Sequence, residues 1–535
     1  MEFKLSLPAY PALPKASVEI RPKQVQEWLD ALPLANSPEA GRKLADGIAA
    51  TNSVKLGDQA RCNLLELYRA AVSKLQASLQ QLYLGKSLPL PEKSQQAAAI
   101  LRDMHGELAN GYKLTLADLV NRHTNLSSNK LAQLAMARAI ECLGNVLEVF
   151  YETYAPTPSP LWAELHQLYW YAAKLNLHAM EIAAGTPADK HSVNAAYTQV
   201  LLLALADPYH LSQGQLSTAK TYLAQFGQQA VLQPLGPTEN KHGLFLVRLD
   251  SAKPPQALLH YQGVTDARSD ILLNTIPLAR ALHKHLQELD AAMPLTKTGQ
   301  AKSASQTTNR ELLKRLIKQW GITPKRMFNR ALGQSDVHIC GGISALHHVL
   351  SAGQTNHAAP AELALPLEVS DVRQTSAEPV YICERWLVLN ESAGGVTLAK
   401  MPGSAGKIKV GDIIGMDPGQ VDAPGVARGV ARGVALVRWM QSDAQNGVTV
   451  GAQMLAPQAQ AIAIKPVIST INALFQPALL LPEVPALKHA ARIVAARGSF
   501  QPQREFEVRS QGLMRRVRAH QLIEHTDSLD MFTFY

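Results

Sequence analysis

The first half of the chain has the hydrophobic periodicity of amphipathic α-helices. From about residue 24 to residue 289, apolar residues recur at spacings of three and four, with turn residues between the segments. One such stripe consists of Leu64, Leu65, Tyr68, Ala71, Val72, Leu75 and Leu79. We therefore predict an all-α region over residues 1–292. Its paired helices are compatible with helical-hairpin repeats, although the sequence shows no repeat of about 34 residues.

Two features interrupt or end this helical pattern. Residues 243–248 and 257–261 read as a short pair of strands within it. Residues 293–309 are small, polar and nearly free of apolar side chains, which is typical of a linker between domains. One more helix, predicted over 310–320, follows the linker. A cluster of aromatic residues near Trp162 and Tyr169 is interpreted as packing between helices, with a peptide groove as the alternative.

Beyond residue 320 the pattern changes to short runs that alternate and are rich in β-branched residues, as in strands. The five predicted strands cover 380–389, 395–401, 410–416, 433–440 and 448–455. They indicate a small antiparallel barrel within residues 310–465, with an inserted helix over 343–350. Further strands are predicted at 478–481, 492–495, 504–509 and 517–523. The predicted fold class is thus α+β multidomain: a helical region, an antiparallel β-barrel, and a second small β-unit over 466–535.

The composition indicates the cellular location of the protein, but it says little about the reaction or the ligand. The 535-residue chain has no apolar run long enough to span a bilayer, and its first residues lack the features of a signal peptide. Its four cysteines have no Cys-x-x-Cys spacing, which argues against a zinc ribbon or a disulfide scaffold. We therefore expect a cytoplasmic protein without a membrane partner. The net charge is +9, and residues 310–535 hold 24 Lys or Arg against 18 Asp or Glu, a net +6.

Two short segments in the β-rich part carry candidate chemistry. The first is the basic stretch from Lys325 to Arg330, in which Arg326 and Arg330 form an Arg-x-x-x-Arg pattern before a strand-like run. The second is Asn390-Glu-Ser392-Ala-Gly-Gly395, an Asn-x-Ser-x-x-Gly pattern between two predicted strands. Together they resemble the two-part signature of PilZ domains, the bacterial receptors for cyclic di-GMP.

The resemblance covers roughly residues 310–465 and implies a ligand and a set of contacts. Cyclic di-GMP carries two phosphodiesters and two guanines, and the guanine O6 and N7 acceptors match the fork of an arginine. The predicted ligand-binding residues are Lys325, Arg326, Arg330, Asn390, Ser392 and Gly395. The arginines would pair with guanine or phosphate, Asn390 and Ser392 would supply hydrogen bonds, and Gly395 would let the backbone approach. No cofactor and no metal are implied.

Some sequence features compete with this interpretation. Arg330 and Asn390 are 60 residues apart, because the inserted helix and a Pro-containing stretch at 359–366 intervene. Arg428 and Arg432 repeat the Arg-x-x-x-Arg spacing, but they follow the second half-motif, and we interpret them as solvated residues at a strand end. The basic run Arg509 to Arg518 is interpreted as a solvated strand face, with a phosphate-contacting edge as the alternative.

Three other classes of function are alternatives to a receptor. An enzyme is not expected, because no nucleophile has a base beside it and the P-loop, Gly-x-Ser-x-Gly and His-Glu-x-x-His patterns do not occur. Direct nucleic-acid binding is not expected from so modest a charge. A nucleotide-independent scaffold with a degenerate barrel is the main alternative. The prediction is a bacterial cyclic di-GMP receptor whose helical region binds an unknown protein partner, and in which ligand moves the helix at 310–320 relative to that region.

Overall fold

The computed structural model describes residues 4–8, 18–122, 126–183, 190–291, 304–321, 330–333, 335–352, 383–392, 394–401, 407–417, 433–443, 447–467, 473–485 and 489–535. Of the residues singled out from the sequence, Lys325, Arg326, Arg428 and Arg432 lie outside this part of the chain.

The N-terminal region is built from helices, as its sequence pattern predicts. They are α1 Pro22–Asp30, α2 Ser37–Asn52, α3 Asp58–Gln80, α4 Glu92–Arg122, α5 Lys130–Glu152, α6 Ser159–Lys174, α7 Val193–Leu205 and α8 Gln213–Phe226. A small strand pair, β1 Ile182–Ala183 and β2 Lys190–His191, connects α6 to α7. The Oγ of Ser192 accepts a hydrogen bond from the amide of Ala195 at 3.0 Å, which caps the start of α7.

The aromatic cluster lies inside this helical core. Trp162 is buried, and the ring of Tyr169 stacks on that of Tyr197 with the ring centroids 4.2 Å apart. His166 bonds through its two ring nitrogens to the Tyr197 hydroxyl and the Lys253 carbonyl. The interpretation of these aromatics as packing between helices is confirmed.

The predicted strand pair belongs to a larger sheet. Its strands are β3 Val231–Pro234, β4 Leu244–Arg248, β5 Gln256–Ala257 and β6 Asp270–Asn274, in the order β3-β6-β4-β5. Two helices follow it, α9 Ile276–Ala291 and α10 Ala304–Gly321.

Helix α10 is packed into the helical core. Its residues Leu312, Leu313, Leu316 and Trp320 are fully buried there, and the Trp320 indole donates a hydrogen bond to the Leu202 carbonyl at 3.1 Å. The expected movement of this helix relative to the helical region stays a prediction, and it would expose this apolar face to water.

The first barrel contains the five predicted strands and two more, β7 Ala331–Leu332 and β8 Asp336–Gly341. Its other elements are α11 Ile343–Ala352, β9 Glu384–Ser392, β10 Gly395–Lys400, β11 Ile413–Asp417, β12 Val434–Ser442 and β13 Val448–Ala456. The ring runs β8-β9-β10-β13-β12-β11 and closes on β8, with every pair antiparallel. The short strand β7 pairs with the end of β9.

The C-terminal β-unit is a closed barrel of its own. Its strands are β14 Gln460–Pro466, β15 Gln476–Leu481, β16 Arg492–Ala496, β17 Glu505–Ser510, β18 Leu513–His525 and β19 Leu529–Phe534. They run in the order β14-β15-β16-β19-β18-β17, and β17 pairs with β14 to close the ring. Strand β14 thus pairs with C-terminal strands, although residues up to 465 were predicted to accompany the first barrel.

The first barrel contacts both neighbouring regions. Helix α11 packs between the two barrels in an apolar cluster that includes Leu346 and Leu479. On the other side, Leu88 and Tyr154 of the helical region join the interior cluster of the first barrel. The Tyr154 carbonyl accepts a hydrogen bond from the Ser442 amide at 2.8 Å. The first barrel is therefore bracketed by the helical region and the second barrel.

Candidate ligand-binding wall

A β-bulge in strand β9 determines whether the second half-motif lies on the inner or the outer side of the barrel. Leu398 of β10 lies opposite Val388, but the next residue, Thr397, lies opposite Asn390, so Leu389 is an extra residue in β9. Val388 and Leu398 point into the barrel interior. Because facing residues of an antiparallel pair share a side of the sheet, the bulge turns Asn390 outward with Thr397. Ser392, two residues further, shares that outer side.

The first half-motif arrives at the same place through β7. Ala331 pairs with Glu391 and Leu332 pairs with Asn390. Arg330 directly precedes this pair, is exposed, and therefore lies at the strand end beside Ser392. The structure thus brings Arg330, Asn390 and Ser392 together despite their separation in sequence. We call this outer surface of β7, β9, β10, β13 and the adjoining part of β12 at Trp439 the wall.

Two glycines keep the wall flat. A Cβ at Gly395 would lie 2.6 Å from the Ala452 carbonyl oxygen on β13, closer than a side-chain carbon can approach. A Cβ at Gly451 would overlap the indole nitrogen of Trp439, which lies against that glycine. One row of laterally paired residues therefore crosses four strands without a protruding side chain at the glycine. It consists of Asn390, Thr397, Gly451 and Trp439.

Polar atoms on the wall lack partners. Asn390 Oδ1 and Thr397 Oγ1 are both buried and have no hydrogen-bond partner among the described residues. Thr397 is only 4% exposed. The Ser392 hydroxyl, in contrast, donates to the Gly395 carbonyl at 3.2 Å. Since buried polar groups are nearly always hydrogen-bonded, these two atoms on facing residues are free to accept hydrogen bonds from other groups.

A polar chain connects the wall to the second barrel. Gln453 lies opposite Gly395, and its Oε1 accepts a hydrogen bond from Arg438 Nε at 2.7 Å. Arg438 Nη2 in turn donates to Glu524 Oε2 of strand β18 at 2.8 Å. The sequence alone did not single out Thr397, Gln453 or Glu524, because their relation to the half-motifs depends on strand register and on contacts between barrels.

The wall also touches the helical region. The ring of Trp439 lies 6.5 Å from that of His210, centroid to centroid. The His210 carbonyl accepts a hydrogen bond from Arg315 Nη2 of helix α10 at 2.7 Å. The wall therefore has direct neighbours in both flanking regions.

The arrangement offers binding groups rather than reactive ones. The hydrogen bond with the Cys383 thiol, together with burial, raises the pKa of the Cys340 thiol, which therefore stays protonated and unreactive. Within the described residues, no group of three or more His, Cys, Asp or Glu is placed to hold a metal ion. Among the described helices, none combines the length and apolar character that a membrane span requires.

Comparison with known proteins identifies relatives for all three regions. Family models match residues 23–238 (N-terminal domain of the cyclic di-GMP receptor FimW), 244–362 (its middle PilZ domain) and 462–535 (its C-terminal β-barrel domain). The PilZ match includes Arg330 and ends before β9, so Asn390, Ser392 and Gly395 lie outside it. The cyclic di-GMP receptor FimW of Pseudomonas aeruginosa is 26% identical over an alignment covering 96% of this chain and 90% of that protein. The chain therefore belongs to the family of PilZ-domain cyclic di-GMP receptors that these models describe.

Proposed function

We propose that this protein binds cyclic di-GMP on the wall of its first barrel. The observation that carries the proposal is the pairing of β7 with β9, which places Arg330 beside Asn390 and Ser392. These residue types suit the ligand, because guanine offers paired acceptors to an arginine fork and the phosphodiesters attract its charge. The match to FimW, a cyclic di-GMP receptor, supports the same ligand.

Each residue has a distinct role in this proposal. Arg330 contacts a guanine edge or a phosphate from the end of β7, and Lys325 and Arg326 add charge from the preceding segment. Asn390 and Ser392 provide hydrogen bonds from β9. Gly395 keeps the backbone accessible, since a side chain there would collide with Ala452. No group in this set is asked to make or break a covalent bond, so the protein acts as a receptor.

The proposal extends to how binding is passed on. The segment from Lys325 to Arg330 connects α10, which is fixed in the helical core, to β7 on the wall. A ligand held by this segment would restrain the barrel relative to the helical region. The bound ligand would also lie next to Gln453, which is connected through Arg438 to Glu524 of the second barrel by hydrogen bonds. We propose that this change is read by a cytoplasmic protein partner through the helical region.

Isothermal titration of the full chain tests the ligand. We expect saturable binding of cyclic di-GMP and much weaker binding of GMP, which lacks the second guanine and the cyclic phosphodiesters. A folded protein that does not bind cyclic di-GMP would favour the alternative of a scaffold whose barrel has lost its ligand.

Hydrogen exchange tests the transmission separately. Cyclic di-GMP should slow amide exchange in β9 and β10, and also in β18 around Glu524. In Arg438→Ala the protection of β9 and β10 should remain while that of β18 is lost, because the link through Gln453 is broken. Equal protection of β18 in both proteins would rule out this route.

A further inference from the structure

The hairpin formed by β17 and β18 has an unusual tip. Gln511 and Gly512 have φ angles of 48° and 79°, so both central residues are left-handed, as in the two-residue type I′ turn. The residues that follow are apolar and exposed: Leu513 is 76% and Met514 is 61% accessible. Hairpin turns of soluble domains are normally polar, so two exposed large apolar side chains at a turn call for a partner.

Arginines occupy the strand positions next to this apolar pair. Residues Gln511 to Arg516 are all exposed, and they include Arg515 and Arg516. Arg509 lies opposite Met514. Arg516 and Arg518 face Glu507 and Glu505. Arg509 and Arg515 instead lie over the rings of Phe475 and Phe534, with no carboxylate in ion-pair contact among the described residues. The basic hairpin, which we define as Arg509 to Arg518, therefore keeps uncompensated positive charge next to its apolar tip.

We propose that the basic hairpin docks on an anionic lipid surface, with Leu513 and Met514 entering the interface. Successive strand residues point to opposite sides, so these two side chains flank both faces of the ribbon. A lipid interface can surround both faces at once, whereas a flat protein surface can cover only one. Arg515 and Arg516 follow about 7 Å behind the tip, which matches the depth of roughly 5–10 Å between the acyl boundary and the headgroups.

The edge of β18 argues against a strand-pairing protein partner. Leu513 to Val517 pair with β17 alone among the described strands, since β19 pairs with β18 only from Ala519 onward. An open edge of this kind could accept another strand, but charged side chains along an edge are a common device against such pairing. The same charges attract anionic headgroups. This proposal departs from the sequence-based expectation of no membrane partner, which rested on the lack of an apolar run long enough to span a bilayer.

Cosedimentation of the full chain with vesicles tests the proposal. We expect binding to vesicles of phosphatidylcholine with phosphatidylglycerol, release by added salt, and little binding to phosphatidylcholine alone. The double variant Leu513→Ser, Met514→Ser should bind about tenfold more weakly, because the apolar contribution is lost. Arg509→Gln with Arg515→Gln should weaken binding by about 25-fold, at roughly fivefold per charge.

A matched control and a second readout keep the test decisive. Val264, 91% exposed between β5 and β6, is an apolar surface residue of the helical region, and Val264→Ser should bind as the wild type does. A polarity-sensitive fluorophore on Met514→Cys should shift to the blue only with the anionic vesicles. The proposal is overturned if the anionic vesicles do not bind, if the Leu513, Met514 double variant binds as the wild type does, or if that variant instead abolishes a dimer.

Discussion

The two barrels are both closed rings of six antiparallel strands, yet their surfaces differ in kind. On the outer face of the second barrel, charged residues pair with one another, as Glu505 does with Arg518 and Glu507 with Lys465. On the wall of the first barrel, Asn390 and Thr397 have polar atoms without partners among the described residues. Outside the basic hairpin, these charged groups of the second barrel are paired, whereas the wall leaves polar atoms unpaired among the described residues.

The interiors differ as well. The second barrel has a core made of its own residues, with Phe506 and Phe532 stacked at 5.7 Å between centroids. The interior cluster of the first barrel includes Leu88 and Tyr154 from the helical region. The first barrel is thus joined to its surroundings through both its interior and its wall. Two barrels with the same architecture can therefore have different functions. The function depends on which polar and charged groups each surface leaves available for binding.

The largest expected effect separates stability from binding. Phe532→Ala should lower the stability of the second barrel by about 3–5 kcal/mol, because the buried ring is replaced by a cavity. Chemical denaturation followed by circular dichroism measures this loss. Cyclic di-GMP affinity of the folded protein should not change, since the wall is on the other barrel. A parallel loss of affinity would show that the two barrels do not divide these roles.

A glycine substitution sharpens the contrast between wall positions and open positions. Gly395→Ala should destabilise the first barrel by about 2 kcal/mol, because the added carbon meets the backbone of β13. Gly214→Ala is the matched control: nothing lies within 4 Å of its added carbon on helix α8, so it should stabilise by about 0.5–1 kcal/mol. Thermal unfolding of both variants gives the comparison, and equal behaviour would contradict the close approach at Gly395.

The unpartnered hydroxyl on the wall allows a test with an unusual sign. Thr397→Val keeps the shape of the side chain and removes a buried polar atom without a partner, so the free protein should become more stable by about 1 kcal/mol. Replacing Thr533, whose hydroxyl accepts a hydrogen bond from the Gln521 amide, by Val should instead cost stability. A destabilised Thr397→Val protein would mean that the hydroxyl is already satisfied without ligand.

The smallest effect concerns the bridge between barrels. A double-mutant cycle on Arg438→Ala and Glu524→Ala should give a coupling energy below about 1 kcal/mol, because both side chains are partly exposed to solvent. Adding cyclic di-GMP should change this coupling if the wall communicates with the second barrel. The same cycle on Arg385 and Asp336, an exposed pair of β9 and β8, should not respond to the ligand.

Much of the architecture follows from local pattern, whereas the site depends on register. Alternating apolar residues predict the five strands from β9 to β13, and apolar residues at spacings of three and four predict the helices before them. The direction of Asn390 does not follow from alternation, because without the bulge at Leu389 it would face inward with Trp386 and Val388. The contact of Gln453 with Arg438 depends on a second strand irregularity near Arg438. Such shifts are decided by packing between strands, not by the sequence of one strand.

The packing partners of helix α10 and strand β14 also differ from those expected from the sequence. The polar linker suggested a boundary before α10, but the apolar residues Leu312, Leu313, Leu316 and Trp320 already required a partner to cover them. Residues 460–466, which form β14, are not among the predicted strands, and they were grouped with the first barrel because they follow β13 closely. The region against which such an element packs is determined by tertiary contacts. The sequence therefore predicts helix α10 but not its packing partner.

The most direct test of the central claim is the cyclic di-GMP affinity of Arg330→Ala compared with Arg385→Ala. Both arginines are exposed and lie along strand β9, but Arg385 is at its start, and only Arg330 lies beside Asn390 and Ser392 at its end. By isothermal titration, Arg330→Ala should bind roughly 10- to 100-fold more weakly, since a charge-assisted hydrogen bond contributes about 1.5–3 kcal/mol, and Arg385→Ala should bind as the wild type does. Unchanged affinity in Arg330→Ala, or an equal loss in both variants, would contradict the proposed site on the wall.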